Sequence, residues 1–153
     1  MNALPKPRVS YRTMRESDLA AVMLLEPTLY SHPWTRGNFT DSLKAGYLCE
    51  VCEADGETLG YAIMMMALDE AHLLNISIAK SYQGRGLGRD LLDHMAELAR
   101  DRKAQTMFLE VRVSNTSAIR LYESMGFNEF SVRKGYYPAH HGREDAYLMG
   151  LAL

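Results

Sequence analysis

Several kinds of site are excluded by what this chain has little of. Positive charge is not in excess: the formal net charge is −2, so the basic footprint that nucleic acid demands is missing. That balance leaves a basic peptide open as a partner, since long-range attraction then favours encounter. Apolar runs are short. The longest, Tyr61 to Leu68, falls far below the length needed to cross a bilayer. The opening Met1-Asn2-Ala3-Leu4-Pro5-Lys6 carries no apolar core that would serve as a secretion signal, so a cytoplasmic location is expected. Cysteine is scarce as well. The two that occur, Cys49 and Cys52, are spaced C-x-x-C within Tyr47-Leu48-Cys49-Glu50-Val51-Cys52, which reads as a strand, and residues three apart on a strand point to opposite faces. A redox pair needs its first cysteine near a helix N-terminus, and zinc needs two more ligands at suitable spacing. Both cysteines are therefore expected to be buried strand residues. Repeats, low-complexity tracts and linkers are also missing.

What is present is a chain of 153 residues, 47% hydrophobic and 24% charged. These are the size and balance of one globular domain with a core around a sheet. We expect that domain to cover residues 1–153, with residues 1–8 as a flexible N-terminal segment. Val9 to Met14 predicts a first strand. Ser17 or Asp18 then caps a helix that Pro27 stops, and a second helix runs from Thr35 to Lys44 with Phe39 and Leu43 at i, i+4. Three strands follow, roughly Tyr47–Glu53, Thr58–Ala67 and His72–Ala79, joined by the turn signals Asp55-Gly56 and Asp69-Glu70. A long helix comes next, with Leu87, Leu91, Met95 and Leu98 as its stripe, widened by Leu92 and Ala99. Thr106–Val113 reads as a strand, Asn115 to Ser117 caps a further helix, and Gly126 closes it. Two last strands, near Phe127–Lys134 and Asp145–Leu151, flank a loop carrying Tyr136-Tyr137-Pro138. The order βααβββαβαββ predicts an α+β layer fold whose sheet is mostly antiparallel and flanked by helices.

Gln83-Gly84-Arg85-Gly86-Leu87-Gly88 stands between a strand and the long helix. Glycines there let a ligand approach the backbone, and the free N–H groups and dipole of the helix start suit a pyrophosphate. Arg85 and Arg89 can add charge-assisted contacts to phosphate. A nucleotide P-loop needs G-K-[ST], whereas the chain has Gly88-Arg89-Asp90. A dinucleotide fingerprint counted from Gly84 needs glycine where Arg89 stands. The bland alternative is a glycine-shaped turn and nothing more.

Gln83, Gly86 and Gly88 match the Q/R-x-x-G-x-G/A signature that this segment resembles, that of the GCN5-related N-acetyltransferase (GNAT) family. The resemblance spans almost the whole chain. Leu74-Asn75-Ile76-Ser77-Ile78, Leu109-Glu110-Val111-Arg112 and the run from Ser114 to Glu123 are similar to the family's bacterial ribosomal-protein alanine N-acetyltransferases. Pro33-Trp34, Asp69-Glu70 and Gly142-Arg143-Glu144-Asp145-Ala146 resemble further stretches of that subfamily. The resemblance implies the GNAT acyl-coenzyme A N-acyltransferase fold and acetyl-coenzyme A as co-substrate; no partner cluster accompanies His140-His141, so no metal is expected. It also implies, as partner, the N-terminus of a small-subunit ribosomal protein. The loop residues Gln83, Gly84, Arg85, Gly86, Leu87, Gly88 and Arg89 would hold the coenzyme pyrophosphate. Backbone amides of Ile76, Ser77 and Ile78 would hold the pantetheine. Ser77 departs from the alanine expected in close relatives, and its hydroxyl is not expected to alter backbone contacts.

Acetyl transfer to an amine needs a base, a polarised thioester and a proton for the departing thiolate. Glu110 shares a strand face with Arg112, so a structural ion pair is the bland reading; the resemblance implies the general base. Tyr122 has Ile119 and Met125 three residues to either side, which suits a core tyrosine with a wet hydroxyl; the resemblance implies the general acid. Asn115 is either a plain helix cap or a cap that also touches the coenzyme, as the resemblance implies. Trp34, Glu70 and Tyr137 are candidates for the peptide groove, Trp34 equally for the core. His140-His141 is expected to be solvated. Two alternatives stay open: a GNAT enzyme for a lysine side chain or small amine, and a non-catalytic acyl-coenzyme A-binding module. Possession of both Glu110 and Tyr122 weighs against the module.

Overall fold

The computed structural model describes residues 5–153, so the first half of the segment expected to be flexible lies outside the described residues. In chain order the elements are β1 (Ser10–Thr13), α1 (Leu19–Leu29), α2 (Arg36–Lys44), β2 (Leu48–Ala54), β3 (Glu57–Ala67), β4 (Glu70–Ile78), α3 (Leu87–Asp101), β5 (Thr106–Arg112), α4 (Thr116–Ser124), β6 (Asn128–Pro138) and β7 (Arg143–Ala152). This is the order βααβββαβαββ read from the sequence. The strands form one seven-stranded sheet, ordered β1-β2-β3-β4-β5-β7-β6. The pairs β1–β2, β2–β3, β5–β7 and β6–β7 are antiparallel, while β4 and β5 are parallel. A parallel pair needs a long crossover, and α3 supplies it.

The chain divides into two compact units. One takes the chain up to Met65 together with Asn75–Met95; the other takes Met66–Leu74 and Ala96–Leu153. In the first unit, Leu19 and Val22 of α1, Phe39 of α2, Val51 of β2, and Tyr61 and Ile63 of β3 make one core cluster. Cys49 and Cys52 are both free thiols, and both are buried. Fully burying an aliphatic or aromatic side chain of this size contributes about 1.5–3 kcal/mol. In the second unit Met107, Leu109 and Val111 of β5 are buried, as are Tyr122, Phe127, Ala146 and Met149.

Helix α1 corrects one expectation. Pro27 lies inside it and does not stop it. Proline removes one N–H and crowds the carbonyl four residues back, yet only two more residues follow, and the Thr28 hydroxyl donates to the Leu25 carbonyl at 2.6 Å. Asp18 does not cap α1 with its side chain. Its carboxylate instead accepts from the Arg12 guanidinium at 2.8 and 2.6 Å and from the Arg15 amide at 2.7 Å. Helix α2 is capped reciprocally: Thr35 Oγ accepts from the Asn38 amide, and Asn38 Oδ1 from the Thr35 amide. On α3 the buried stripe runs through Leu87, Leu91, Leu92, Met95, Ala96 and Ala99, with Leu98 only half-buried.

Asp55 and Gly56 turn between β2 and β3 with φ of 51° and 78°, the pair of positive values a two-residue hairpin of the I′ kind requires. The next turn is one residue earlier than expected. Leu68 takes φ 56° and Glu70 is already the first residue of β4. Gly60 on β3 is required by close approach: a Cβ there would stand 2.5 Å from the Ser77 carbonyl oxygen. Tyr136-Tyr137-Pro138 also differs from expectation, because it belongs to β6 and not to a loop. The strand continues through an irregularity between Arg133 and Tyr137, where Gly135 has φ 58°. Pro138 ends this edge strand, where a missing N–H is tolerated.

Candidate active site

In the first unit the glycine loop leaves β4 through a single 3-10 turn, Lys80–Tyr82. Gln83 Nε2 donates to the Ile78 carbonyl at 2.9 Å, so this motif residue pins the loop to the strand end. Gly84 and Gly86 have φ of 75° and 83°. A Cβ on Gly84 would meet nothing within 4 Å, and one on Gly86 only the tip of Lys6, which itself pairs with Asp90 at 2.6 Å. The surface above the loop is open, and α3 begins at Leu87 with its first-turn amides lacking intrahelical partners. Gly88 and Arg89 belong to that first turn.

Arg85 lies over the Tyr82 ring, 5.0 Å from its centroid, and donates to the Ser81 carbonyl at 2.9 Å. Its Nε is a buried donor with no hydrogen-bond partner. A buried unmade donor is costly, and an anion at this loop would satisfy it. Open glycines, helix amides and an orphaned guanidinium N–H together fit a phosphate group.

The last residues of β4 belong to the same unit. Register between β4 and β5 covers Glu70 to Leu73 only, so Ile76, Ser77 and Ile78 carry no β5 partner. Ser77 joins a network of side chains through its hydroxyl. Its Oγ donates to Asn75 Oδ1 at 2.7 Å and lies 2.6 Å from the Tyr30 hydroxyl, which also reaches the Ile76 carbonyl at 3.1 Å. Glu26, which the sequence reading passed over, is buried beneath this network. It accepts from the Tyr61 hydroxyl at 2.7 Å, Asn75 Nδ2 at 3.2 Å and the Trp34 amide at 2.9 Å. Burial and then the neighbouring Glu26 push the Tyr61 phenol well above its usual range. The signal for Glu26 was its place with Leu19 and Val22 on one helical face. Trp34 takes the core-anchor position, half-buried with its ring 5.0 Å from Phe39.

In the second unit Glu110 is exposed on β5, and its Oε2 accepts from the Tyr136 hydroxyl at 2.8 Å. The ion pair with Arg112 does not form. Arg112 pairs with Glu144 at 3.1 Å and lies over the Tyr137 ring, 4.5 Å from its centroid. Glu144 also accepts from the Ser114 amide at 2.9 Å, and these donors hold its carboxyl below the usual range. Burial, reinforced by Glu110, raises the Tyr136 phenol above its ordinary value.

Glu110 opens on a cavity of about 250 Å³ whose other walls include Glu70, His72, Phe108, Phe130 and Arg133. Glu70, at the start of β4, is bonded to His72 Nε2 at 2.9 Å. Two sequence-named residues, Glu110 and Glu70, thus share one cavity, and Tyr137 is linked to it through the Tyr136 ring at 4.9 Å. Tyr122 is buried on α4 against Phe127, 5.7 Å between rings. Asn115 caps α4, its Oδ1 accepting from the Ala118 amide at 3.2 Å. His140 and His141 are exposed. Among the described residues no three His, Cys, Asp or Glu side chains group closely enough to hold a metal ion.

A model of the acetyltransferase (GNAT) family matches residues 19–127. The chain belongs to this family. Among GNAT proteins it is 40% identical over 141 residues to the [ribosomal protein bS18]-alanine N-acetyltransferase of Escherichia coli (strain K12), covering 92% of this chain and 95% of the relative. The enzyme of that name from Haemophilus influenzae is 39% identical, over 89% and 93%. The crystal structure of the ribosomal-protein-S18-alanine N-acetyltransferase from Escherichia coli superposes with a TM-score of 0.89 at 39% identity, covering 95% of this chain and 94% of that one. Ard1 from Thermoplasma volcanium shares the GNAT fold at a TM-score of 0.86 and 23% identity, over 95% and 97%. No helix among the described residues is long and apolar enough to cross a membrane.

Proposed function

We propose that this GNAT chain acetylates the α-amine of a protein N-terminus, an alanine-starting small-subunit ribosomal protein, with acetyl-coenzyme A as donor. The observation that carries the reading is Glu110: an exposed carboxylate with one oxygen held by Tyr136, facing a cavity of about 250 Å³. The acceptor is suggested by relatives that share about two residues in five across nine-tenths of both chains. One catalytic domain spanning the chain, working in the cytoplasm, completes the proposal.

The donor, when bound, brings its acetyl group as a thioester. Gly84, Gly86, the first amides of α3 and Arg85 Nε serve its phosphates, with Arg89 adding charge. Amides of Ile76 to Ile78 take the pantetheine like an added strand, and one of them faces the developing oxyanion. Asn115 caps α4 and touches the coenzyme. Glu110 accepts the proton that the amine loses as it attacks. Tyr122 delivers its hydroxyl proton to the departing sulfur; reference values of about 8.5 for a thiol and ~10 for tyrosine make that transfer only mildly uphill. Glu70 and Tyr137 line the path of the acceptor chain, and Glu70 favours a basic second residue.

Kinetics of two variants test this. Glu110→Gln is expected to lower kcat/KM by roughly 10²–10⁴-fold, the range for a lost general base, with coenzyme Kd unchanged. Tyr122→Phe is expected to lower kcat. Wild-type turnover in both variants would contradict the mechanism.

A further inference from the structure

The strands β5 and β6 are separated by β7, a gap of two strand spacings or about 9–10 Å. A side chain of β6 meets one of β5 only if it is laid across the strand between, and Tyr136 does so to reach Glu110. The register explains how. Arg133 stands opposite Ala146, and the next paired residue, Tyr137, stands opposite Glu144. Lys134, Gly135 and Tyr136 therefore face Asp145 alone, a bulge whose backbone groups the ladder cannot serve.

Side chains of β7 serve them instead. Asp145 Oδ1 accepts from the Gly135 amide at 2.8 Å, and its Oδ2 takes the Lys134 ammonium at 3.3 Å. Arg143 donates from Nε to the Gly135 carbonyl at 2.7 Å and from Nη2 to the Tyr136 carbonyl at 2.9 Å. Gly135 takes the positive φ that this path requires.

We propose that Asp145, with Arg143, is a positioning residue: it holds the β6 bulge that lays the Tyr136 hydroxyl on Glu110 and so fixes the carboxylate's orientation. The catalytic half of this statement rests on the reading of Glu110 as base; the placement of Tyr136 does not. One oxygen of Glu110 is engaged and the other is left for the amine.

The test joins a structural readout to kinetics on the full chain. In ¹³C-tyrosine-labelled protein the Tyr136 ring signal is identified by its loss in Tyr136→Phe. Asp145→Ala is expected to move that signal to where Glu110→Ala, which removes the acceptor, moves it. It should lower kcat about tenfold to a hundredfold, the scale of a misplaced group, and the Asp145→Ala/Tyr136→Phe double variant should lose no more than either alone. The acetyl-coenzyme A Kd should stay unchanged. Arg143→Ala removes the other two clamps and carries the same expectation should Asp145→Ala not fold; Lys134→Ala should leave signal and rate in place. A Tyr136 signal unmoved in both clamp variants overturns the placement. A moved signal with wild-type kcat overturns the positioning role. Wild-type kcat in Glu110→Gln would instead sink the base assignment and leave the placement to the signal.

Discussion

The hydroxyl of Ser77 joins Tyr30 at the end of α1 to Asn75 on β4, and Asn75 in turn donates to the buried Glu26. Alanine, the residue expected here in close relatives, would remove the centre of this chain. Asn75 Oδ1 would then be buried without its donor, at a cost of about 1–3 kcal/mol. Ser77→Ala should accordingly lower Tm, by about 2–4 °C for each kcal/mol in a domain of this size. An unchanged melting temperature would show that a rearranged partner replaces the hydroxyl. Legibility at this scale was uneven for a physical reason. Glu110 was conspicuous because a carboxylate is out of place in an apolar strand. Its partner Tyr136 was hidden, because Gly-Tyr-Tyr-Pro reads as turn chemistry when the bulge is stabilised by side chains from another strand. Glu26 was hidden too, since its place on the face of Leu19 and Val22 does not reveal its donors, which come from Trp34, Tyr61 and Asn75.

Among the elements, the loop from Gln83 to Gly88 was the most legible, since positive φ at Gly84 and Gly86 leaves few other residues tolerable. Gly86→Val adds strain at φ 83° and fills the open face above the loop. That side chain keeps the pyrophosphate from approaching the backbone closely, so acetyl-coenzyme A should bind about tenfold more weakly or worse. Calorimetry on the folded variant checks this, and unchanged affinity would remove the loop from the coenzyme site. Helix ends were less legible. Pro27 carries a stop signal, but one lost hydrogen bond two residues from the end of α1 is tolerated. Turn position between β3 and β4 slipped by one because Leu68, with no turn propensity of its own, takes the positive φ.

For the molecule as a whole, paired carboxylates set the acid limit of stability. Arg12 holds the Asp18 carboxyl below its usual range, chiefly by hydrogen bonding, and Arg12 also reaches Glu53 at 3.0 Å. A carboxyl depressed in the folded state stabilises above its unfolded value, about 3.9 for aspartate, and that contribution is lost as pH falls through the folded value. Thermal melts from pH 7 downward should therefore fall steeply below about pH 4, and Asp18→Asn, less stable at neutral pH, should show a shallower acid decline. Parallel curves for the two proteins would mean that Asp18 does not carry the effect.

The choice of acceptor can be decided in one competition experiment. An α-amine has a reference pKa of about 7.7–8.0 and lysine about 10.4, so near neutral pH the reactive neutral α-amine is a few hundred times more abundant. On the proposed reading Glu110 completes that deprotonation, and Glu70 on the same cavity would favour a basic second residue. Purified protein and acetyl-coenzyme A are offered an Ala-Arg-starting peptide together with the same peptide blocked at its N-terminus and carrying a free lysine. Acetyl incorporation into each is followed by mass. Rapid labelling of the free N-terminus and little of the blocked peptide are expected; faster labelling of the blocked peptide would overturn the N-terminal assignment.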